Sequence, residues 1–291
     1  MILTFGATAV SSFAQRFGSL RWGRSMENGQ NLGLKLLKAA KRRIRTLRNR
    51  VKGDRKPTQA EYTDRYKQGL GEPVFVENQD EIALISYKKN NSEELDFETY
   101  KEVQALENKR KIGNVFAKEI NIKYLSDFLT QRSTLVKFGL CHGVRRGVEQ
   151  AWFEKHIGGG VDVLGTEISE TATRFPKTIE WDFHETKPEW IESCDFIYSN
   201  SWDHAMDPER AFSNWVMCLK SDGVLLLEHT KFHTPKHVSP ADPFGVSCDG
   251  LVTFVNKIGS KAKIGFIVET VLRDLPYRER DDVAVVVRRL P

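Results

Sequence analysis

Cysteine is scarce: Cys141, Cys194, Cys218 and Cys248 are the only four in 291 residues, and no two form a C-x-x-C pair. A disulfide scaffold and a zinc ribbon are thereby excluded, and free thiols in a reducing compartment are expected. No stretch approaches the roughly 18 consecutive apolar residues of a transmembrane helix. Gly and Pro number 21 and 10, too few for a collagen-like or largely low-complexity chain. The absence that divides the chain is one of charge. The first 26 residues contain no Asp or Glu, and residues 1–67 hold 16 Lys and Arg against 4 Asp and Glu, a net of +12. The other 28 basic and 35 acidic residues leave 68–291 at −7, so the formal +5 of the whole describes neither part. The basic balance belongs to an arm and says little about what the acidic body binds.

Within that arm, Arg16, Arg21 and Arg24, with several Ser, give residues 1–26 a composition shared with organelle transit peptides. In residues 31–52, Leu36, Ala40, Ile44, Leu47 and Val51 recur at helical spacing, while Lys and Arg fill most other positions. A basic amphipathic helix suits an anionic membrane surface, a nucleic-acid backbone or an acidic partner. The competing expectation is a solvated extension that turns helical only on contact. Residues 27–61 have almost no aromatic side chains to stack on bases, which ranks nucleic acid behind the membrane surface. Residues 53–57 read as a linker. A cytoplasmic location is expected, with membrane association through residues 31–52 or organelle targeting by residues 1–26 as the alternatives.

Residues 68–130 read as a small accessory cap. Residues 73–76 and 82–87 look like two strands of a hairpin. Residues 93–112 follow as a helix with Leu95, Tyr100, Val103 and Leu106 as apolar positions, and a second helix over 120–129 leads into the body. Nothing in this stretch has catalytic spacing. It either packs on the body and shapes its pocket or is structural filler.

From residue 131 to 291, apolar runs alternate with helical patterns. The expected fold is α/β: a Rossmann-like, seven-stranded, mostly parallel sheet with helices on both faces. Residues 134–140, 161–166, 178–181, 194–198 and 224–227 are the first five strands. Residues 264–272 and 282–288 close the sheet antiparallel to one another. A helix over 148–156 turns Trp152 and Phe153 inward and stops at Gly158-Gly159-Gly160. Another begins at Asp207 as N-cap and Pro208 at the first helical position, with Phe212, Trp215, Val216 and Leu219 on one face. Residues 251–258 are a further helical stretch.

In open α/β sheets, ligands bind beyond the carboxyl ends of the strands where the strand order reverses. The first strand runs into Cys141-His142-Gly143-Val144-Arg145-Arg146-Gly147, a turn whose glycines let backbone approach a ligand at a helix N-terminus. Glu167 ends the second strand 20 residues after Gly147, the spacing at which an acidic side chain accepts hydrogen bonds from ribose hydroxyls. Asp182-Phe183 and Ser199-Asn200 bring further polar groups to the same edge.

From about residue 133 to 230 these features resemble a class I S-adenosylmethionine-dependent methyltransferase of the methyltransferase type 11 group. The closest likeness is Ser199 to Phe212, containing His204-Ala205-Met206-Asp207-Pro208, continued by Cys218-Leu219-Lys220-Ser221-Asp222-Gly223. These are similar to the family's "H-x-x-D-P" segment and "L-K-P-G-G" turn. The resemblance implies S-adenosyl-L-methionine as cofactor. Gly143 and Gly147 would lie against its methionine portion and Glu167 on its ribose. Asp182 and the Phe183 backbone would read the adenine, and Asn200 would sit near the methionine end. Two departures stand out: Cys141 replaces the usual acid two before the first Gly, and Arg145 replaces the middle Gly. The variant places Arg145 or His142 as a partner for the cofactor's carboxylate, or else marks a site that no longer binds.

Methyl transfer from a sulfonium asks the protein to align the acceptor, exclude water and, for a weak nucleophile, take a proton. Candidate bases near the ends of the fourth and fifth strands are His204, Asp203, His229, Glu228 and His233, with His204 ranked first. His229, His233 and His237 recur at four-residue spacing, but Pro235 denies them one helical face, so no metal is expected from that set. Trp202, Phe232 and Phe244 line the pocket or pack on the sheet, and residues 237–249 are a loop that closes over the acceptor or simply covers the surface. The expected acceptor is a small molecule or carbohydrate. A nucleic-acid methyltransferase using the arm, and a noncatalytic binding protein on the same fold, remain open.

Overall fold

The computed structural model describes residues 74–79, 82–89, 94–133, 135–277 and 282–290. All lie within one compact unit, Pro57–Pro291. The transit-like composition of 1–26, the basic helix of 31–52, the 53–57 linker and any membrane or nucleic-acid contact of the arm fall outside the described residues. Among the described residues no helix is long and apolar enough to cross a membrane, and all four cysteines are free thiols.

The chain begins with β1 (Val74–Gln79), β2 (Ile82–Ser86), α1 (Phe97–Lys111) and α2 (Glu119–Arg132). It continues with β3 (Phe138–His142), α3 (Val148–Ile157), β4 (Asp162–Glu167), β5 (Thr178–Glu180) and β6 (Cys194–Ser199). Then come α4 (Pro208–Cys218), β7 (Leu219–His229), β8 (Phe244–Val246), α5 (Cys248–Gly259), β9 (Phe266–Leu272) and β10 (Val283–Arg289). Seven strands form one sheet in the order β5-β4-β3-β6-β7-β10-β9. β3 to β7 run parallel, while β10 pairs antiparallel with both β7 and β9. The order reverses between β4 and β6 on either side of β3, which opens a crevice at the carboxyl ends of those strands.

Side-chain alternation along each strand feeds two cores. Leu225, Leu227, Val285 and Val287 face α4 and α5, meeting Phe212, Trp215, Leu251 and Val255. Leu226, Phe196, Tyr198 and Val286 face α2 and α3, meeting Ile122, Leu125, Leu129 and Phe153. β10 is buried over five consecutive residues, Val283 to Val287, because strands flank it on both edges and helices on both faces. The result is the expected α/β, Rossmann-like, mostly parallel sheet with helices on both faces. α4 starts where its punctuation predicts: the Asp207 carboxylate accepts from Arg210 N at 3.1 Å and Pro208 takes the first helical position.

Several local expectations change: the first hairpin strand runs on to Gln79, and the first strand of the body is Phe138–His142 and not 134–140. α1 begins at Phe97, because Asp96 caps it by accepting from Thr99 N and Thr99 Oγ1, and Leu95 pairs in an isolated bridge with Lys88. Ser221-Asp222-Gly223 is a bulge inside β7 and not a turn before it: Leu219 pairs with Cys194 and Val224 with Phe196. Gly223 permits this, since a Cβ there would stand 2.7 Å from the Cys194 carbonyl oxygen. Residues 237–249 contain β8, which pairs antiparallel with β2 and completes a three-stranded sheet in the order β1-β2-β8.

Candidate active site

The β3–α3 turn is built on left-handed backbone: φ is 76° at Gly143, 45° at Arg145 and 67° at Gly147. Gly143 is required by a close approach, since a Cβ there would come within 2.7 Å of Ser201 Cβ at the end of β6. Arg145 adopts the same region with a side chain, at a cost of roughly 1–2 kcal/mol. That conformation aims its backbone N–H at Glu167 Oε2, 3.1 Å away. The guanidinium is largely buried, lies 5.1 Å from the Phe116 ring centroid, and leaves its Nε without a hydrogen-bond partner.

Glu167, 7% exposed, stands at the carboxyl end of β4. Its other oxygen accepts from Ser169 N at 3.0 Å. Burial pushes its pKa above the ordinary range, opposed by these backbone hydrogen bonds and by the charge of Arg145. α1 crosses in front of the crevice and sets Tyr100, Gln104 and Asn108 against Gly143, Arg145, Glu167 and Phe183. The helix is fastened there. Tyr100 Oη donates to the His204 carbonyl at 2.9 Å and Gln104 Nε2 to the Ala241 carbonyl at 2.9 Å; Thr171 Oγ1 donates to Asn108 Oδ1 at 2.8 Å. The gap left beneath α1 is about 30 Å³, room for one or two waters.

The polar groups around this gap are of the kinds that would hold an adenosyl sulfonium. A buried carboxylate ends β4, a two-glycine turn adjoins it, and Arg145 Nε is an unsatisfied donor suited to a carboxylate. The gap itself, about 30 Å³, is far smaller than that ligand, and α1 is what covers it.

Beside the gap lies a cavity of about 480 Å³, within the size range of small-molecule pockets. Asn200, Ser201, Asp203 and His204 reach it from the end of β6, Glu228 and Thr230 from the end of β7. Phe116 and Phe232, each 57% exposed, sit at its rim. Glu228 is buried and committed: Oε1 accepts from Asn121 Nδ2 at 2.7 Å and Oε2 from Tyr198 Oη at 2.5 Å. Asp203 is 6% exposed, its Oδ1 has no hydrogen-bond partner, and burial pushes its pKa up to about 7. His204 holds Gln104 Oε1 at 2.7 Å through Nδ1, and its Nε2 lies 3.3 Å from Asp242 Oδ1.

Of the residues singled out in the sequence, Gly143, Arg145, Glu167, Phe183, Asn200, Asp203, His204, Glu228, Phe232, His233 and His237 line the gap, the cavity or both. His142, Gly147, Asp182 and His229 line neither. His142 turns into the core, with its ring stacked 4.8 Å from Trp215 and Nδ1 2.8 Å from Thr166 Oγ1; burial lowers its pKa to about 3. Gly147 packs against Gln150 and Thr178. Asp182 Oδ1 accepts from the His184 amide and ring; burial disfavours its charge, but these His184 hydrogen bonds prevail and hold its pKa below the ordinary range. His229 stacks on Trp202 with Nε2 2.9 Å from the Val246 carbonyl, and burial lowers it to about 4. The three spaced histidines do not converge either: His233 bonds Asn200 O and Thr230 N, while His237 bonds Thr234 Oγ1. Trp202 is wholly buried, donating from Nε1 to the Glu228 carbonyl. Tyr100, Gln104, Phe116 and Asp242 were not anticipated at the site. None lies near a motif, and only the fold brings them there.

No family model and no curated protein matches the chain. Solved structures are similar to it at low identity. One is the 1,6-didemethyltoxoflavin-N1-methyltransferase of Burkholderia thailandensis with bound 1,6-didemethyltoxoflavin and S-adenosylhomocysteine. It is 13% identical, the match covers 75% of this chain and 99% of that one, and the TM-score is 0.49. The mitomycin 7-O-methyltransferase MmcR is 14% identical over 79% of this chain and 67% of its own, with a TM-score of 0.47. A sugar N-methyltransferase from Streptoalloteichus is 13% identical over 76% of this chain and 100% of its own, with a TM-score of 0.45.

Proposed function

We propose that this chain is an S-adenosylmethionine-dependent methyltransferase whose acceptor is a small molecule or a carbohydrate. The observation that carries the reading is Glu167: a nearly buried carboxylate at the carboxyl end of β4, bonded to the Arg145 amide of the glycine turn, lining a gap that shares Arg145, Ser201 and His204 with the 480 Å³ cavity. The bound cofactor supplies an electrophilic methyl carbon. Glu167 receives the ribose hydroxyls, Phe183 borders the adenine, and Gly143, Asn200 and the free Nε of Arg145 face the methionine end. His142, Gly147 and Asp182 act from behind by fixing the turn and the end of β5. The acceptor enters between the Phe116 and Phe232 rings, which suits a flat or ring-bearing molecule. A hydroxyl acceptor directs its proton toward the wall formed by Asp203 and His204. His229 is held away from that wall by Val246.

A second reading is favoured by the gap of about 30 Å³ beneath α1: a protein of this fold that uses the large cavity for binding and takes no cofactor. Isothermal calorimetry with S-adenosylhomocysteine separates the two. Binding below millimolar concentration supports the methyltransferase. No heat of binding at millimolar ligand, in folded protein, overturns it in favour of the cofactor-free reading. A screen of sugars and small aromatic hydroxyl and amine compounds with methyl-labelled cofactor then identifies the acceptor.

A further inference from the structure

The wall of the 480 Å³ cavity that holds Asp203 and His204 also brings Asp242 to the same point, a grouping that proton removal from an acceptor does not by itself explain. Asp203 Oδ1, His204 Nε2 and Asp242 Oδ1 converge, each of the three residues offering one ligand atom within 4.8 Å of the others. His204 Nε2 is 3.3 Å from Asp242 Oδ1 and 4.0 Å from Asp203 Oδ1. Ligand atoms on a common ion, at bonds of about 2.1 Å, stand roughly 3.0–3.5 Å apart, so the His204–Asp242 pair already has that spacing and Asp203 needs to draw in.

His204 and Asp242 are each held from behind so that one atom is left pointing inward. Gln104 Nε2 donates to Ala241 O, which turns its Oε1 toward His204 Nδ1 at 2.7 Å. With Nδ1 engaged by Gln104, Nε2 is the nitrogen left to face the carboxylates and the one a cation would take, the arrangement that orients a ligating imidazole. Asp242 Oδ2 accepts from Ser239 Oγ at 2.9 Å, leaving Oδ1 for the centre. Asp203 is 6% exposed and its Oδ1 makes no hydrogen bond. A buried carboxylate oxygen without a partner is costly unless a positive charge meets it. The neighbouring cations do not fill that place: Lys111 binds Glu107 at 3.0 Å and reaches Asp242 only at 4.0 Å. His233 Nε2 lies 3.6 Å from Asp203 Oδ1 but gives its hydrogen bond to Asn200 O at 3.1 Å.

We propose that Asp203, His204 and Asp242 form a divalent-cation site whose open side faces the large cavity. One imidazole nitrogen and two carboxylate oxygens suit Mn²⁺ and Zn²⁺, and Mg²⁺ less well. The three ligands leave coordination positions for water or for an oxygen donor of a molecule in the cavity. The site stands whether or not the chain transfers methyl groups.

The test is Mn²⁺ titration of the full chain after chelator treatment, followed by loss of the free-ion electron paramagnetic resonance signal. One bound equivalent is expected. Asp242→Asn and Asp203→Asn should each weaken it by at least about 10-fold, with unchanged far-UV circular dichroism. Asp242 is the less buried of the two, so its variant keeps the test decisive where the Asp203 substitution disturbs folding. The proposal is overturned by no bound equivalent at millimolar Mn²⁺, or by binding that the folded Asp242→Asn protein retains in full. Calorimetry with S-adenosylhomocysteine on the metal-free protein reads the other site separately, so either idea can fail alone.

Discussion

The position of α1 makes a quantitative claim about cofactor affinity. A ligand that needs the space under α1 binds only the fraction of molecules in which the helix has moved, so its apparent affinity is reduced by that fraction. Tyr100→Phe removes the hydroxyl that ties α1 to the His204 carbonyl at 2.9 Å. It leaves the ring in its edge-on contacts with Tyr87 and His184, whose centroids lie 5.9 and 5.3 Å away. The closed arrangement loses one buried hydrogen bond, a net of about 0.5–1.5 kcal/mol. The open arrangement loses little, because water replaces the bond there. The closed-to-open balance therefore shifts by about 1 kcal/mol, and S-adenosylhomocysteine should bind about 2- to 10-fold more tightly. Calorimetry on the two proteins reads this directly, and a thermal melt should show the variant folded but slightly less stable. Unchanged or weaker binding in folded Tyr100→Phe would refute the argument, since α1 would then not be what limits access.

Three further outcomes follow from the same geometry. Glu167→Ala should weaken S-adenosylhomocysteine by about 1–3 kcal/mol through lost hydrogen bonds to a charged group; equal affinity would remove Glu167 from the site. Glu149, 5% exposed with Oε2 unpartnered, is pushed by burial from 4.5 to about 7. Its folded-state pKa is the higher one, so its contribution is fully present below the unfolded value and is lost as pH rises through the folded value. The change is roughly 3 kcal/mol. Urea unfolding at about pH 5 and about pH 8 should therefore show Glu149→Gln gaining on the parent by that amount at the higher pH, and parallel pH dependences would contradict it. Gly147→Ala should lower stability by about 2–4 kcal/mol from backbone strain and overpacking, because φ is 67° and a Cβ would stand 2.5 Å from Thr178 Oγ1 and Gln150 Nε2. An unaltered melting temperature would show that the turn relaxes more freely than its packing implies.

Strand parity explains which site residues were legible. In β3, Leu140 and His142 share one face, the face that meets Trp215, so the histidine beside Gly143 belongs to the core. In β7 the same alternation sends Leu225, Leu227 and His229 toward Trp202, and Glu228 toward Tyr198 on the other face. Both placements were readable from period 2, and the proximity of His142 and His229 to strand ends obscured them. Glu167 and the Gly143–Arg145 turn were legible because a β–α–β unit fixes them locally. β8 was not. Its three residues lie in a loop with Pro235, Pro240 and Pro243, and they become a strand only because β2 offers an edge about 160 residues away in sequence.

That edge pairing has consequences at the site. Pairing of β8 with β2 fixes the chain just after Asp242, and the Tyr87 hydroxyl holds the Pro240 carbonyl two residues before it. Gln104 of α1 joins the Ala241 carbonyl to the His204 ring. Asp242 and His204 therefore owe their relative placement to the hairpin and to α1, the stretch in which the sequence shows no catalytic spacing. α1 also covers Glu167, so one helix sets both the access to the crevice and the geometry of the cavity wall beside it. A substitution that frees Gln104 is thus expected to alter both proposed ligand sites at once, whereas Tyr100→Phe, which leaves the Gln104 hydrogen bonds in place, separates them. Tighter S-adenosylhomocysteine binding with unchanged Mn²⁺ affinity in that variant would show that access and wall geometry are set by different contacts of the same helix. A parallel change in both would show that α1 moves as a unit and that the two sites are coupled through it.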